Sequence, residues 1–459
     1  MALILLLNPW ITDFAAYDLW AKPLGLLFIG SLLSDAGFDV VLLDCLDRSR
    51  ANEVKNIIPG KDKFYGTGKY PKRPIDLPPA YEGFPRTYFR YGITEEQFDE
   101  VVMSLPEKPR LVVVTSIMTY WYPGVQQSIA RIKLHFPDVP VWLGGIYARL
   151  CKDHALKHSG ADQIIVEPLA KLPEMLENEL GFPVRNKDRW TDISYFPAPL
   201  WSAYERLYYG VLLASTGCPY RCPYCASSSL QPDVSIRSPD QLYEEILALY
   251  DRGVRDFAFY DDALLIYGWK SVEPVLERLI REGYDDLRFH TPNAVHIKAI
   301  DERKGELLFA SGFKTLRLGL ETAMVRHQKE WGNKAENPDF VRALRILKKI
   351  GFTTQQIGVY LLCGVPGENP QDVRRSIDFV AELGALPFVA EYSPIPGTAL
   401  WHEACRVSSF DIKEEPLYHN NSFFACRNEN FTYEDMIELK NYARRARSAL
   451  ISTSMADSS

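Results

Sequence analysis

The sequence lacks two features that would assign it to common functional classes: a long hydrophobic segment and an excess of positive charge. The apolar run Ala2–Leu7 is shorter than a signal-peptide core or a membrane span, and no basic segment precedes it. Its 52 Lys and Arg residues against 59 Asp and Glu give a net charge of −7, which offers no general attraction to a phosphate backbone. We therefore expect no membrane span, and a nucleic-acid substrate is not favoured.

Cysteine is scarce, and its placement argues against a common type of metal site. Three of the eight cysteines, Cys218, Cys222 and Cys225, fall within eight residues. A structural zinc site usually joins one such group to a second cysteine pair, which this chain lacks. A four-iron cluster held by three thiolates leaves one iron open to a substrate or cofactor. The triplet therefore indicates an iron–sulfur site in a reducing compartment, the cytoplasm; the alternative is a set of buried structural cysteines.

The spacing Cys-x-x-x-Cys-x-aromatic-Cys, with Tyr224 as the aromatic residue, resembles the cluster loop of the radical S-adenosylmethionine (SAM) superfamily. The resemblance implies that the three cysteines hold a [4Fe-4S] cluster and that its open iron binds SAM. It further implies that an electron from the cluster cleaves SAM to a 5′-deoxyadenosyl radical, with Tyr224 near the adenine. A reducing electron donor such as flavodoxin or ferredoxin is implied as a partner.

Residues 210–400 alternate strand-like and helix-like segments, which predicts a partial (β/α)6 barrel, the radical SAM core. Barrel enzymes carry their chemistry at the carboxyl ends of the strands. By the same resemblance, the residues that bind SAM at these ends are Asp261, Asp262, Glu321, Gly364, Pro366, Gly367 and Ser393. For Glu321 the alternative is a buried ion pair with Arg317. Either His290 or His296 could face the cavity, but polar residues with satisfied hydrogen bonds are the favoured interpretation of both. The predicted strands are Gly210–Thr216, Val254–Tyr260, Leu287–Thr291, Thr315–Leu320, Gln356–Leu362 and Pro387–Tyr392.

Residues 1–180 predict a doubly wound parallel sheet, because five short apolar strands alternate with helices. A Gly-x-Gly-x-x-Gly phosphate loop is absent, which argues against a dinucleotide site. An insertion at about 48–109 is predicted to be irregular, and it is either a lid or a surface decoration. Residues 181–209 are predicted as a linker and residues 401–459 as a small helical C-terminal extension.

The position of this first domain, directly before the cysteine loop, and its segment Lys22–Leu27 resemble the cobalamin-binding module of B12-dependent radical SAM proteins. Doubly wound sheets bind ligands beyond the carboxyl ends of their strands. The resemblance therefore implies cobalamin contacts at Trp10, Ser116, Gly144 and Gly145. The Asp-x-His-x-x-Gly motif that supplies a lower axial histidine in other cobalamin proteins is absent.

Three functions remain open at this point. The first is a B12-dependent radical SAM enzyme that transfers a methyl group to a substrate carbon. The second is a radical SAM enzyme whose first domain binds substrate rather than cobalamin, and the third is a non-catalytic iron–sulfur or zinc protein. Methylthiolation is disfavoured, because that family has further N-terminal cluster cysteines and this chain has only Cys45 and Cys151 there. No motif identifies the substrate.

Overall fold

The computed structural model describes residues 2–50 and 57–456. Residues 51–56 of the predicted insertion and residues 457–459 of the predicted C-terminal extension lie outside the described residues. The chain divides into two compact units. Unit 1 extends to Tyr208 and includes Lys413–Tyr418, and unit 2 comprises Tyr209–Ile412 and the chain from His419 onward.

The secondary structure of unit 1 alternates between strands and helices outside the insertion. Its helices are α1 (Leu24–Asp35), α2 (Glu95–Met103), α3 (Tyr122–His135), α4 (Ile146–Leu150), α5 (Lys152–His158) and α6 (Leu172–Leu180). Its strands are β1 (Leu3–Asn8), β2 (Ile11–Asp13), β3 (Tyr17–Asp18), β4 (Asp39–Asp44), β5 (Lys61–Asp62), β6 (Gly68–Lys69), β7 (Lys72–Ile75), β8 (Tyr88–Tyr91), β9 (Leu111–Val114), β10 (Val141–Leu143) and β11 (Gln163–Ile164).

Five of these strands form one parallel sheet in the order β11, β10, β9, β1, β4. The strand order reverses beside β1, since β4 lies on one side of it and β9 on the other, as in a doubly wound fold. Every residue of β1 is buried, as expected of a strand covered on both faces. The predicted doubly wound sheet is confirmed, and its ligand-binding edge is formed by the segments that follow β1, β9 and β10.

The predicted irregular insertion contains regular structure in its described part. Strands β7 and β8 form an antiparallel sheet with β2, and β5 and β6 form another with β3. The buried guanidinium of Arg48 stabilises the second sheet by donating to Asp18 (2.6 Å), to Asp62 and to the carbonyl of Gly66. Strands of two to four residues are too short to show an alternating pattern, so the sequence does not reveal them.

Unit 2 repeats strand and helix along the chain. Its helices are α7 (Ser227–Leu230), α8 (Pro239–Asp251), α9 (Trp269–Glu282), α10 (Glu302–Ala310), α11 (Val325–Glu330), α12 (Asn337–Ile350), α13 (Pro370–Glu382), α14 (Trp401–Val407) and α15 (Tyr433–Ala456). Its strands are β12 (Gly210–Leu212), β13 (Ser215–Thr216), β14 (Ser235–Ile236), β15 (Asp256–Phe259), β16 (Arg288–His290), β17 (Phe313–Glu321), β18 (Ile357–Cys363) and β19 (Leu386–Glu391).

One parallel sheet organises unit 2, with β12, β15, β16, β17, β18 and β19 side by side in chain order. Because all these strands run the same way, their carboxyl ends meet at one edge. Aromatic side chains from these strands pack together: the ring centres of Phe289 and Phe313 lie 5.3 Å apart, and Phe259 stacks on Phe313. The mixed α/β class with parallel strands is confirmed.

The first predicted strand of this unit, Gly210–Thr216, is wrong in one respect, because it breaks into β12 and β13. The backbone N–H groups of Ala214 and Ser215 donate to the carboxylate of Asp261 (3.0 and 2.6 Å), so they are not available to a strand partner. After this break, β13 pairs antiparallel with β14 instead of continuing the parallel sheet. The chain is thereby turned out of the sheet just before the cysteine loop.

Candidate metal and cofactor site

Three thiols line one cavity at the carboxyl edge of the unit 2 sheet. Cys218, Cys222 and Cys225 border a cavity of about 290 Å³, together with Tyr224 and Asp262. The cysteines follow β13 and Asp262 follows β15, so neighbouring segments of the edge contribute to the same space. The structure therefore brings together five of the residues that were predicted to bind the cluster or SAM.

The path of the cysteine loop depends on one glycine and one turn. Gly217 has φ +83°, and a Cβ added there would lie 3.0 Å from the carbonyl oxygen of Asp233, so a side chain would be both strained and crowded. Further along, the N–H of Cys225 donates to the carbonyl of Cys222 (3.0 Å), closing a turn. The loop folds back on itself, which brings the three thiols to one cavity.

The three thiols share one cavity, which is what a cluster held by three cysteines requires. Among the described residues, no group of three His, Cys, Asp or Glu side chains converges in a way that could hold one metal ion. The three thiols nevertheless border the same cavity, as needed for a cluster whose irons occupy separate corners. Burial raises the pKa of the Cys218 and Cys222 thiols, so thiolates at these positions require nearby positive charge, which iron would supply.

Asp261 and Asp262 have different environments. Asp261 is buried and accepts hydrogen bonds from Ala214, from the Ser215 backbone and from the Ser215 hydroxyl (2.8 Å), and burial raises its pKa to about 6. Its oxygens are thus committed to the start of the cysteine loop, and a direct contact with SAM is not supported. Asp262 lines the cavity, and burial raises the pKa of its carboxyl as well.

Glu321 ends β17 with an unusual backbone conformation and a partner that the sequence did not reveal. Its φ is +67°, the pairing with β18 shifts register there, and its carboxylate accepts from Lys334 Nζ (2.9 Å). Lys334 lines the cysteine cavity. The ion pair considered between Arg317 and Glu321 is replaced by this one. The sequence feature that could have pointed to Lys334 is the Gly332–Asn333 pair before it. These two residues have φ values of +104° and +50° and form a tight turn against Cys222.

The two histidines near β16 differ in environment. His290 is satisfied by Asp256 (3.1 Å) and Thr315 (3.0 Å), as predicted. His296 instead lines the cavity, with its Nε2 3.7 Å from Cys218 Sγ and its ring stacked on Tyr220 at 4.9 Å. Its Nδ1 is buried without a hydrogen-bond partner in the described part of the chain. The Nε2 and the sulfur can share a hydrogen bond, whose direction depends on the tautomer of the ring.

The remaining SAM-binding candidates lie in the turns after β18 and β19. Glu368 closes the first turn by accepting from the N–H groups of Gly364 (2.8 Å) and Val365 (3.2 Å), and burial raises its pKa to about 8. Gly364 packs against Phe424, whereas the space beside Gly367 is open. Pro366, between them in the same turn, is half-buried.

Ser393, in the turn after β19, donates its hydroxyl proton to the carbonyl of His419. That hydrogen bond leaves its oxygen only as an acceptor. The cavity bordered by the cysteines does not include Ser393 or the Gly364–Gly367 turn.

In unit 1, three of the four cobalamin candidates meet at the sheet edge. The hydroxyl of Ser116, after β9, donates to the carbonyl of Gly144 (2.6 Å), after β10. A Cβ on Gly145, whose φ is +94°, would lie 2.2 Å from the Ser116 carbonyl oxygen, so only glycine fits there. Trp10 is different: it is 1% exposed, and its indole donates to the carbonyl of Ile93 (2.8 Å) and packs on Phe98. Trp10 therefore belongs to the core, and its predicted contact with cobalamin is not supported.

Comparison with known families bears on the cysteine-containing unit. The model of the family described as the Radical SAM superfamily matches residues 212–380. This range contains the three cysteines, Asp262, Glu321 and Lys334. Residues 212–380 form a radical SAM domain. The resemblance predicted from the cysteine spacing is confirmed, and the domain implies a [4Fe-4S] cluster and SAM as its cofactors.

Relatives of two kinds share sequence with the radical SAM domain and its surroundings. A tRNA-2-methylthio-N(6)-dimethylallyladenosine synthase from Corynebacterium efficiens is 25% identical over 291 residues, which is 60% of this chain and 55% of that protein. The match thus spans little more than half the length of such relatives. A cytidylyl-2-hydroxyethylphosphonate methyltransferase from Streptomyces wedmorensis is 23% identical over 484 aligned residues, covering 90% of this chain and 84% of that protein.

A solved structure shares the fold over most of the chain. The radical SAM methyltransferase TsrM from Kitasatospora setae has a TM-score of 0.62 and 18% identity, covering 89% of this chain and 78% of TsrM. It has been solved with a tryptophan substrate and aza-SAM bound, and with cobalamin and a [4Fe-4S] cluster bound. The fold likeness extends beyond the radical SAM domain into unit 1. Within the part of the chain that the structure describes, no helix is both long and apolar enough to cross a membrane.

Proposed function

We propose that this chain is a radical SAM enzyme whose Cys218, Cys222 and Cys225 hold a [4Fe-4S] cluster, whose unit 1 binds cobalamin, and which transfers a methyl group to a carbon atom of its substrate. The observation that carries the proposal is the cavity at the sheet edge, where the three thiols, Tyr224 and Asp262 meet within the range of the family model. When bound, the cluster supplies the electron that cleaves SAM to methionine and a 5′-deoxyadenosyl radical.

The side chains of the cavity have distinct tasks in this proposal. The carboxylate of Asp262 accepts hydrogen bonds from the amino group of SAM, and Tyr224 packs beside its adenine. Lys334, held by Glu321, places an ammonium group in the cavity wall, where it attracts the carboxylate of SAM. The partly buried wall keeps water away from a reactive radical. Asp261 acts indirectly, by fixing the start of the cysteine loop.

Cobalamin binding in unit 1 is supported by topology and by backbone shape. The doubly wound sheet offers its ligand-binding edge where Ser116, Gly144 and Gly145 meet, and glycine at position 145 lets the backbone come close to a neighbour. The methyltransferase relative covers both units of this chain, and TsrM has been solved with cobalamin. In the described part of this edge, no candidate supplies an imidazole, so we expect no lower axial histidine from it.

A second candidate keeps the radical chemistry but lets unit 1 bind substrate without cobalamin. Two observations favour it: the Asp-x-His-x-x-Gly motif is absent, and Trp10 is buried in the core. Methylthiolation gains no support from the two further N-terminal cysteines. Cys45 is fully buried and Cys151 half-buried, and burial raises the pKa of both thiols.

The test uses anaerobically purified full-length protein, reconstituted with iron and sulfide, supplied with hydroxocobalamin and then desalted. A retained corrin absorption spectrum, with 5′-deoxyadenosine formed from SAM and dithionite, supports the proposal. Formation of 5′-deoxyadenosine without retained corrin favours the second candidate. If neither is found and Cys218→Ala changes only zinc content, the protein is a non-catalytic metal protein. Cys151→Ala, which alters a half-buried thiol outside the cavity, is the matched control.

A further inference from the structure

Arg317 is a half-buried residue whose guanidinium has a buried Nη1 and, among the described residues, no anionic partner. It lies on β17, four residues before Glu321 and on the same face as Gly319, where an added Cβ would lie 2.9 Å from the Glu321 carboxylate. Glu321 is paired with Lys334 and so does not neutralise the arginine. Within the described residues, Arg317 forms no ion pair with a carboxylate, and its buried Nη1 has no hydrogen-bond partner. A guanidinium in this condition is energetically unfavourable unless an anion joins it.

The surroundings of Arg317 add positive charge instead of cancelling it. Its guanidinium lies 4.6 Å from the ring centre of Phe388, and the guanidinium of Arg447 lies 4.5 Å from the same ring. Arg447 donates to the carbonyl of Pro387 (2.6 Å) and forms no ion pair among the described residues. Burial lowers the pKa of both guanidinium groups, the direction expected where positive charge is poorly solvated.

Tyr360 connects Arg317 to the cysteine cavity. This tyrosine, on β18, shares a side-chain hydrogen bond with Arg317 and also lines the cavity. Its hydroxyl donates to the carbonyl of Pro292 (3.0 Å), which is also part of the cavity wall. Arg317 is therefore one side chain away from the space where we propose that SAM is cleaved.

The depth of Arg317 distinguishes its anion from the carboxylate of SAM. Four residue steps along the strand lead from Arg317 to Glu321 at the sheet edge, a distance of about 13 Å. The groups we assign to SAM, Asp262 and Lys334, follow strands at that edge. A molecule that contacts Arg317 must reach deeper along the sheet than those groups.

We propose that Arg317 binds an anionic group, a carboxylate or a phosphate, of the substrate on which the radical acts. The planar fork of a guanidinium matches either anion with two parallel hydrogen bonds. Stacking on Phe388 supports the guanidinium plane but supplies no negative charge. The existence of the anion site rests on the geometry of Arg317 alone, whereas its assignment to the substrate rests on the proposed function.

The test compares thermal unfolding of the full-length protein in sodium chloride, sodium acetate and sodium phosphate at equal pH and ionic strength. We expect acetate or phosphate to raise the Tm of the natural protein by a few degrees relative to chloride. A response to acetate alone identifies a carboxylate site, and a response to phosphate alone identifies a phosphate site. Arg317→Met should lose this response and, in chloride, unfold no earlier than the natural protein, because the removed guanidinium has no carboxylate partner and a buried Nη1 without a hydrogen bond. Arg345→Met, at an exposed position of α12, should keep the response.

Two results would overturn the anion site: no response in the natural protein, or the same response in Arg317→Met. Arg317→Lys, which keeps the charge without the fork, should retain a weaker response, so the site can be judged even if Arg317→Met folds poorly. The SAM affinity of cluster-loaded Arg317→Met should stay within twofold of the natural value. A tenfold loss would assign the anion to SAM and overturn the substrate assignment. Iron content, measured in parallel, tests the cluster separately.

Discussion

The carboxyl edges of the two parallel sheets are built differently. At the edge of unit 2, side chains that can ligate, donate and accept remain directed at a cavity: three thiols, Asp262, His296 and Lys334. At the edge of unit 1, Ser116 donates to the Gly144 carbonyl and Gly145 lies against Ser116 without a side chain. The edge of unit 2 offers reactive side chains, and the edge of unit 1 offers a backbone shape. In the proposed function, the edge of unit 2 therefore serves the reaction and the edge of unit 1 serves as a cradle for the cofactor.

The largest effect should follow from removing a thiol at the edge of unit 2. Cys222→Ala leaves two thiols on the cavity, too few to hold a cluster, so we expect nearly complete loss of bound iron and of SAM cleavage. Retention of corrin by this variant would show that the two edges bind their cofactors independently. The measurement is iron and corrin content of the same desalted sample. Full iron content in Cys222→Ala would contradict the assignment, provided that Cys151→Ala also retains its iron.

The corresponding change at the edge of unit 1 is Gly145→Val. Its Cβ would lie 2.2 Å from the Ser116 carbonyl oxygen, and its φ of +94° is unfavourable for a branched side chain. We expect loss of corrin binding and a decrease of about 3 kcal/mol in the free energy of unfolding, with the iron content unchanged. Gly144→Ala is the matched control, because the nearest atom to its added Cβ is 3.9 Å away. Equal corrin retention by both variants would show that the backbone at Gly145 is not needed to bind corrin.

Lys334→Met tests whether the Lys334–Glu321 ion pair at the edge of unit 2 contributes to stability as well as to SAM binding. It leaves the half-buried carboxylate of Glu321 unpaired, so we expect a destabilisation of up to about 3 kcal/mol in urea unfolding. SAM binding, measured by equilibrium dialysis on cluster-loaded protein, should weaken about tenfold. Lys334→Arg should restore most of both. If Lys334→Met changes neither stability nor SAM binding, the pair is incidental.

A smaller effect should appear as pH dependence at the turn after β18. Burial raises the pKa of Glu368 to about 8, above the value of about 4.5 for an unfolded chain. The folded state therefore holds the proton more tightly, and this contribution to stability is present below pH 4.5 and lost as the pH rises to 8. Glu368→Gln can still accept from Gly364 and Val365 but does not titrate. We expect its unfolding free energy to vary less across this window; an unchanged pH profile would contradict the burial argument.

Much of the architecture could be predicted from the sequence, because strands covered on both faces are short apolar runs such as Leu3–Asn8. The cysteine loop was predictable because spacing alone defines it. The small sheets around Arg48 were not, since their strands are too short to show alternation and pair with residues far away in the chain. Lys334 was missed because its position depends on the fold of the loop at Gly332. Asp261 has the residue type of a ligand, but its hydrogen bonds to Ala214 and Ser215 become visible only in three dimensions.

The proposed function requires that the three cysteines hold a cluster with one iron open to SAM. The most direct measurement is electron paramagnetic resonance of the anaerobic, dithionite-reduced protein, before and after addition of SAM, with iron and zinc counted in the same sample. The account predicts about four irons per chain and a [4Fe-4S]⁺ signal whose g-values shift when SAM is added. Bound zinc in place of iron, or a cluster signal that SAM leaves unchanged, would contradict it.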